Sequence, residues 1–200
     1  MGDIKRLKKK YSRPMHPWSK VAIEQEGKLV KEFGLVKKKE IYISTTLLKK
    51  YKDIAKKLIA DNTVQGKKEK LQMLEKLQKI GLISQGADVD QVLKLQIKDV
   101  LERRIQSIIF RRGYARSMGQ ARQFIVHRHV LVGNKEITSP SYIVGIAEQS
   151  TIVFKPKSTL SNTDHPERVP IQKAVKEEKK EAVKEEIKPK EEKIKEALLE

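Results

Sequence analysis

Two hundred residues leave room for one large domain or two small ones. Lys and Arg number 44 against 26 Asp and Glu, a formal charge of +18; this points to a polyanionic partner, although a membrane surface also attracts such a chain. Cysteine is absent, which excludes disulfides, thiolate zinc sites and a cysteine nucleophile, and no apolar run approaches the roughly 20 residues of a membrane-spanning helix.

The chain opens on a basic arm, residues 1–13, with Lys5, Arg6, Lys8, Lys9, Lys10 and Arg13. No apolar stretch follows it, so it does not read as a signal peptide, and such arms order when phosphate is present. Residues 14–100 read as a helical region. His16-Pro17-Trp18 looks like a helix entrance, Val21, Ala22, Gln25, Leu29 and Phe33 follow one stripe, and Gly34 is placed as the stop. Trp18 has two readings, stacking on a base or packing between helices. A second helix is expected to be capped by Ser44 or Thr45, with Leu47, Leu48, Tyr51, Ile54, Ala55, Leu58 and Ile59 at three- and four-residue spacing. Lys49, Lys50, Lys52, Lys56 and Lys57 fill its gaps, as a solvated face or as phosphate contacts. A third helix is expected from about Lys67 to Ile80, with Leu71, Leu74 and Leu77 inside and Gly81 closing it.

Residues 101–160 change pattern. Leu101, Ile105, Ile108 and Ile109 make a helical stripe with Arg103, Arg104, Arg111 and Arg112 on the polar side, and Gly113 ends it. Ser117 and Gln120 have capping-box spacing for a helix from Met118 to about Arg128. Ala121, Phe124 and Ile125 belong to its core side; Gln123 and His127 lie opposite. Short alternating runs at 129–132, 135–138 and 150–154 read as strands, the first two joined by Gly133-Asn134 in a tight hairpin. The fold class is therefore α+β: a helical region followed by a compact helix–helix–hairpin–strand module. The cluster Arg111-Arg112-Gly113-Tyr114-Ala115-Arg116-Ser117 sits at the turn before a helix N-terminus, where amides and the helix dipole favour phosphate.

The tail, residues 161–200, carries 10 basic and 11 acidic residues and no aromatics, a composition that reads as disordered. Residues 1–160 therefore hold 34 basic against 15 acidic, and the whole basic excess lies on the part able to fold. An enzyme finds little support. His16, His127, His129 and His165 are scattered, His127 and His129 face apart if helical, and no nucleophile–base pair, phosphate loop or metal cluster appears. A general RNA chaperone using the same module is the other rival.

The run from Arg111 to Val130, with R-x-G-aromatic-A-R-S, Q-A-R-Q and H-x-H in order, resembles the RNA-binding domain named after small-subunit ribosomal protein four. Ser139-Pro140-Ser141-Tyr142 is similar to the ribosomal version of that domain, and Lys10-Tyr11 with His16-Pro17-Trp18 to its archaeal and eukaryotic branch. The resemblance covers most of residues 1–160 and none of the tail. It implies direct binding to small-subunit ribosomal RNA at a junction in the 5′ domain, an early place in subunit assembly, and a contribution to decoding accuracy. It also implies a cytoplasmic ribosomal protein with small-subunit protein neighbours, protein five among them, that neither self-associates nor needs a cofactor; the residues themselves offer no membrane span and no metal site. Carried over by motif, the RNA contacts are Arg111, Arg112, Tyr114, Arg116, Ser117, Gln120, Arg122, Gln123, His127, Arg128 and His129, with Lys135 and Tyr142 as further candidates. Tyr114 could equally pack in the core. Two departures stand: the turn reads Gly133-Asn134 where many members have Asn-Gly, and the N-terminal cysteines that bind zinc in some members are missing.

Overall fold

The structure is a computed structural model that describes residues 10–61, 63–162 and 165–167. The arm residues Lys5, Arg6, Lys8 and Lys9, and the tail from residue 168, lie outside the described residues. Five helices come first: α1 Lys20–Glu32, α2 Lys38–Ala60, α3 Val64–Ile80, α4 Val89–Lys94 and α5 Ile97–Glu102. Then follow α6 Ile105–Arg111, α7 Met118–Val126, the hairpin β1 Val130–Val132 and β2 Lys135–Glu136, α8 Ile146–Gln149 and β3 Ile152–Phe154. An α+β architecture results, with helices first and one small sheet of order β2-β1-β3, antiparallel throughout. Val130 pairs with Phe154 and Val132 with Ile152, which sends these four side chains together into the core beneath α6 and α7.

Three apolar clusters organise the chain. One fills the α6–α7–sheet module, centred on Ile105, Ile109, Ala121, Phe124, Ile125 and Val144. A second joins α2, α3 and α4 through Tyr51, Ala55, Leu77, Val89 and Val92. The third is a small seam of Phe33, Leu35, Ile41 and Leu101, and Met118 of α7 packs against it. The seam brings the helical region onto the module.

Several expectations are corrected by this packing. Helix α2 starts at Lys38, so Ser44 and Thr45 are interior, not caps; their hydroxyls donate back to the carbonyls of Glu40 and Ile41. The apolar stripe found the right helix, but the lysine-rich first turn gave no start signal. In α3 the buried positions are Gly66, Met73 and Leu77, while Leu71 is 62% exposed, because the facing helices cover only a narrow strip. Thr63 caps that helix by accepting from the Gly66 amide at 3.0 Å. Trp18 is 89% exposed and Val21 is exposed as well, so α1 meets its neighbours through its C-terminal half. The single helix expected from Leu101 is two, broken at Arg103-Arg104, and Arg104 is buried rather than wet. Helix α7 stops at Val126, short of Arg128.

Gly34 explains how α1 can lie so near α7. Its φ is +55°, and a Cβ built there would sit 2.7 Å from the Met118 Cβ. Both the left-handed backbone and the close approach demand glycine.

Candidate nucleic-acid interface

Helix α6 ends in a turn that reverses the chain into α7. Gly113, at φ +71°, takes the left-handed position, its amide reaching Phe110 O at 2.9 Å while the Tyr114 amide reaches Ile109 O at 3.1 Å. This closure puts Arg111 and Arg112 at the end of one helix and Arg116 and Ser117 at the start of the next. Arg111 is exposed and pairs loosely with Glu102 at 2.9 Å. Tyr114 is half-buried and packs edge-on against Phe154, ring centroids 5.4 Å apart, so its ring belongs to the module's core.

Ser117 caps α7 by accepting from the Gln120 amide at 3.1 Å. The expected return bond closes one residue earlier: Gln120 Oε1 accepts from the Arg116 amide at 2.7 Å, not from Ser117. Arg116 and Gln120 also donate to the carbonyls of Pro166 and Glu167, which lie across the start of α7. Gln123 projects outward along the same helix.

At the far end of α7 the turn motif repeats with a different residue. Arg128 occupies the left-handed position at φ +62°, the one non-glycine there among the described residues. Its amide meets Ile125 O and the His129 amide meets Phe124 O, each at 3.0 Å. An L residue in this conformation costs on the order of 1 kcal/mol. The expectation that His127 and His129 face apart holds only if they are helical; the reversal takes both out of the helix, and their rings lie 6.3 Å from each other. His129 Nδ1 is 2.8 Å from the Ser158 hydroxyl, while His127 and Arg128 are exposed. Lys135 is exposed on the hairpin, where Gly133 has φ +58°. Tyr142 is turned inward; its hydroxyl donates to Glu148 at 3.0 Å and its carbonyl accepts from the Ile105 amide at 2.8 Å. Burial, and then the bond to Glu148, push its phenol pKa up.

Arg122 behaves unlike the other arginines of α7's turn. It forms a forked pair with Glu40 of α2, Nη2 to Oε1 at 2.9 Å and Nη1 to Oε2 at 3.2 Å. Arg104 donates to the same Oε2. Beside them the buried Gln106 side-chain amide reaches Met118 O at 2.9 Å, Phe33 O at 3.2 Å and Gly34 O at 3.3 Å. Burial alone would raise the Glu40 pKa, but the hydrogen bonds and charges of Arg122 and Arg104 outweigh it and hold the carboxyl below its ordinary value. Glu40 and Gln106 were missed in the sequence, and Arg104 was placed on the polar side. Glu40 follows three lysines and reads as surface, and its partners lie 64 and 82 positions away.

A second basic surface lies on the helical region. Lys49, Lys52 and Lys56 of α2 face Lys28 and Lys98 around a groove floored by Leu29, Leu48, Leu95 and Ile97, with Asp53 and Glu32 also on its rim and Glu32 paired to Lys98 at 3.1 Å. The segment before α1 also rests on α2. Tyr11 stacks on Tyr42 with Lys39 above it, and the Ser12 amide donates to Thr46 Oγ1 at 3.1 Å. Arg13 and Lys10, the arm residues that are described, are exposed there. Among the described residues no group of three or more His, Asp or Glu is placed to hold a metal ion, and no helix is long and apolar enough to cross a membrane.

Residues 103–149 match the S4 domain, the stretch from the α5–α6 break to the end of α8. The small ribosomal subunit protein uS4 of Methanococcus maripaludis strain C6 is 44% identical over 169 residues, spanning 84% of this chain and 95% of its own. The uS4 proteins of Methanococcus aeolicus and Methanococcus vannielii are 44% and 43% identical over the same length. These relatives are ribosomal proteins and not enzymes. At 44% identity over 84% of its length, the chain belongs to the small ribosomal subunit protein uS4 family.

Proposed function

We propose that this chain binds small-subunit ribosomal RNA directly, at a junction of helices in the 5′ domain, as an early assembly protein that contributes to decoding accuracy. The observation that carries the RNA reading is the exposed rim around the start of α7. Arg116 stands at the capped N-terminus of α7, and Arg111 and Arg112 stand across one turn at the end of α6 beside a groove with Arg103, so guanidinium forks and the positive end of a helix dipole lie near one another. Ser117, Gln120 and Gln123 offer hydrogen bonds along the same helix, and His127, Arg128 and His129 continue it to the hairpin with Lys135. Tyr114 and Tyr142 have roles inside the fold that leave only their edges for RNA. The lysines of α2 and the arm residues Lys10 and Arg13 supply a second, less shape-specific phosphate surface. The domain division follows, with a helical region to about residue 100 and the recognition module after it. The cytoplasmic small subunit is the setting, as one copy beside neighbouring ribosomal proteins such as protein five.

Hydroxyl-radical footprinting of the full chain on archaeal small-subunit ribosomal RNA tests the proposal. Protection confined to one multi-helix junction of the 5′ domain is the expected result. Protection scattered over unrelated RNAs with equal affinity would instead favour a general chaperone.

A further inference from the structure

Glu40 is the acidic residue of the run Lys37-Lys38-Lys39-Glu40, and it is the member of that run that turns inward. Its carboxylate receives two guanidinium groups at once, from Arg104 at the α5–α6 break and Arg122 in α7. The Arg104 side chain is 4% exposed, with a buried Nε that has no hydrogen-bond partner. Its charge therefore depends on Glu40. Arg122 offers both ends of its fork to Glu40, a geometry that fixes direction as well as distance. Gln106 spans the same seam, holding the end of α1 to the start of α7.

We propose that Glu40 is a positioning residue for RNA binding and that Arg122 acts through it, not on RNA. The clamp sets α7 at one angle to α2, so the arginine rim of the module and the lysine face of α2 meet a folded RNA together. This inference rests on the RNA-binding reading above and adds a division of labour within it. A rigid two-surface ligand gains affinity because the second contact forms at high effective concentration; letting the two surfaces drift forfeits that gain without removing a contact. A buried ion pair of this kind adds little net stability against apolar packing, and its best-attested use is to fix registry. Arg116 is the contrast: it is exposed on the rim and its fork is not held by a carboxylate among the described residues.

The test uses the full chain and a transcript of archaeal small-subunit ribosomal RNA. Simple charge accounting says that Glu40→Gln, which removes a negative charge, tightens RNA binding. Positioning says the reverse: binding weakens by roughly tenfold, the salt slope is unchanged, and Glu40→Asp recovers part of the loss. Arg122→Ala is expected to cost affinity in the wild-type background and almost nothing more in the Glu40→Gln background. Equal losses in both backgrounds, with a shallower salt slope, would make Arg122 a direct phosphate contact and overturn the proposal.

A second measurement works without RNA. The chain has no cysteine, so spin labels at Lys57→Cys and Val153→Cys report the distance between α2 and the sheet. A narrow distribution that broadens in Glu40→Gln, with helical content preserved, supports the clamp; an unchanged one refutes it. Failure of the wild-type chain to bind the RNA at all would sink the RNA-binding reading and the positioning role with it.

Discussion

Glu40 and Arg122 stand 82 residues apart in the chain, and their side chains meet at 2.9 Å. The pair sits between the helical region and the module, largely shielded from water, with Arg104 completing it. The neighbouring Arg103 turns to the opposite seam. Its guanidinium donates to Val144 O and Gln149 Oε1, each at 3.0 Å, and lies against Gly81 at the end of α3. Of two consecutive arginines at a helix break, Arg104 therefore fastens the module to α2, while Arg103 ties α8 and the chain before it to that break within the module.

Breaking the first clamp should be costly. Glu40→Gln leaves two guanidinium groups without their counter-charge, and removing one partner of a buried pair costs about 3 kcal/mol. Urea unfolding at neutral pH is the measurement. The pH dependence has a definite sign. Glu40 has its pKa lowered in the folded state from 4.5, so its contribution is complete above that value and is lost as pH falls through the lower folded-state pKa. The wild-type chain is expected to lose stability over that acid range more steeply than Glu40→Gln; parallel acid limbs would contradict the assignment.

Gly34→Ala should destabilise by about 2 kcal/mol. Left-handed backbone contributes on the order of 1 kcal/mol and the 2.7 Å approach to Met118 supplies the remainder through overpacking. Gly27, with nothing within 4 Å of its built Cβ, is the control, and Gly27→Ala in α1 should be neutral or stabilising. Thermal unfolding of both variants decides it.

Arg128 holds the position that glycine holds at the end of α6. Arg128→Gly should therefore stabilise the fold by about 1 kcal/mol while weakening RNA binding, because an exposed cation is lost. Unfolding and binding measured on the same preparation must move in opposite directions; if affinity is untouched, the strain serves something other than RNA.

Arg116→Ala should weaken binding and reduce the steepness of the salt dependence by about one counterion. Deleting residues 168–200, whose charges nearly cancel, should change affinity by less than about twofold. A filter-binding salt series on both variants separates rim from tail, and a large loss on deletion would show that the tail takes part.

What the sequence determined by itself was everything that repeats over short range. Apolar spacing marked α2, α3 and α7, glycines marked the ends of α1, α3 and α6, and Ser117 marked the start of α7, since each rests on neighbours within one or two helical turns. The motif from Arg111 to Val130 carried the family resemblance for the same reason: its arginines and caps form one local turn. Contacts across the chain were the part that only the tertiary structure decided. Nothing local distinguishes Glu40 from a surface residue, or Arg104 from Arg111, and burial of a charge is set by which helix arrives opposite it. Leu71 failed in the other direction, as an apolar residue with no partner surface in the described fold, and the exposure of Trp18 removes the helix-packing one of its two readings. Periodicity names the faces of an element, while the packing of distant segments chooses which face is covered and which arginine is left for the RNA.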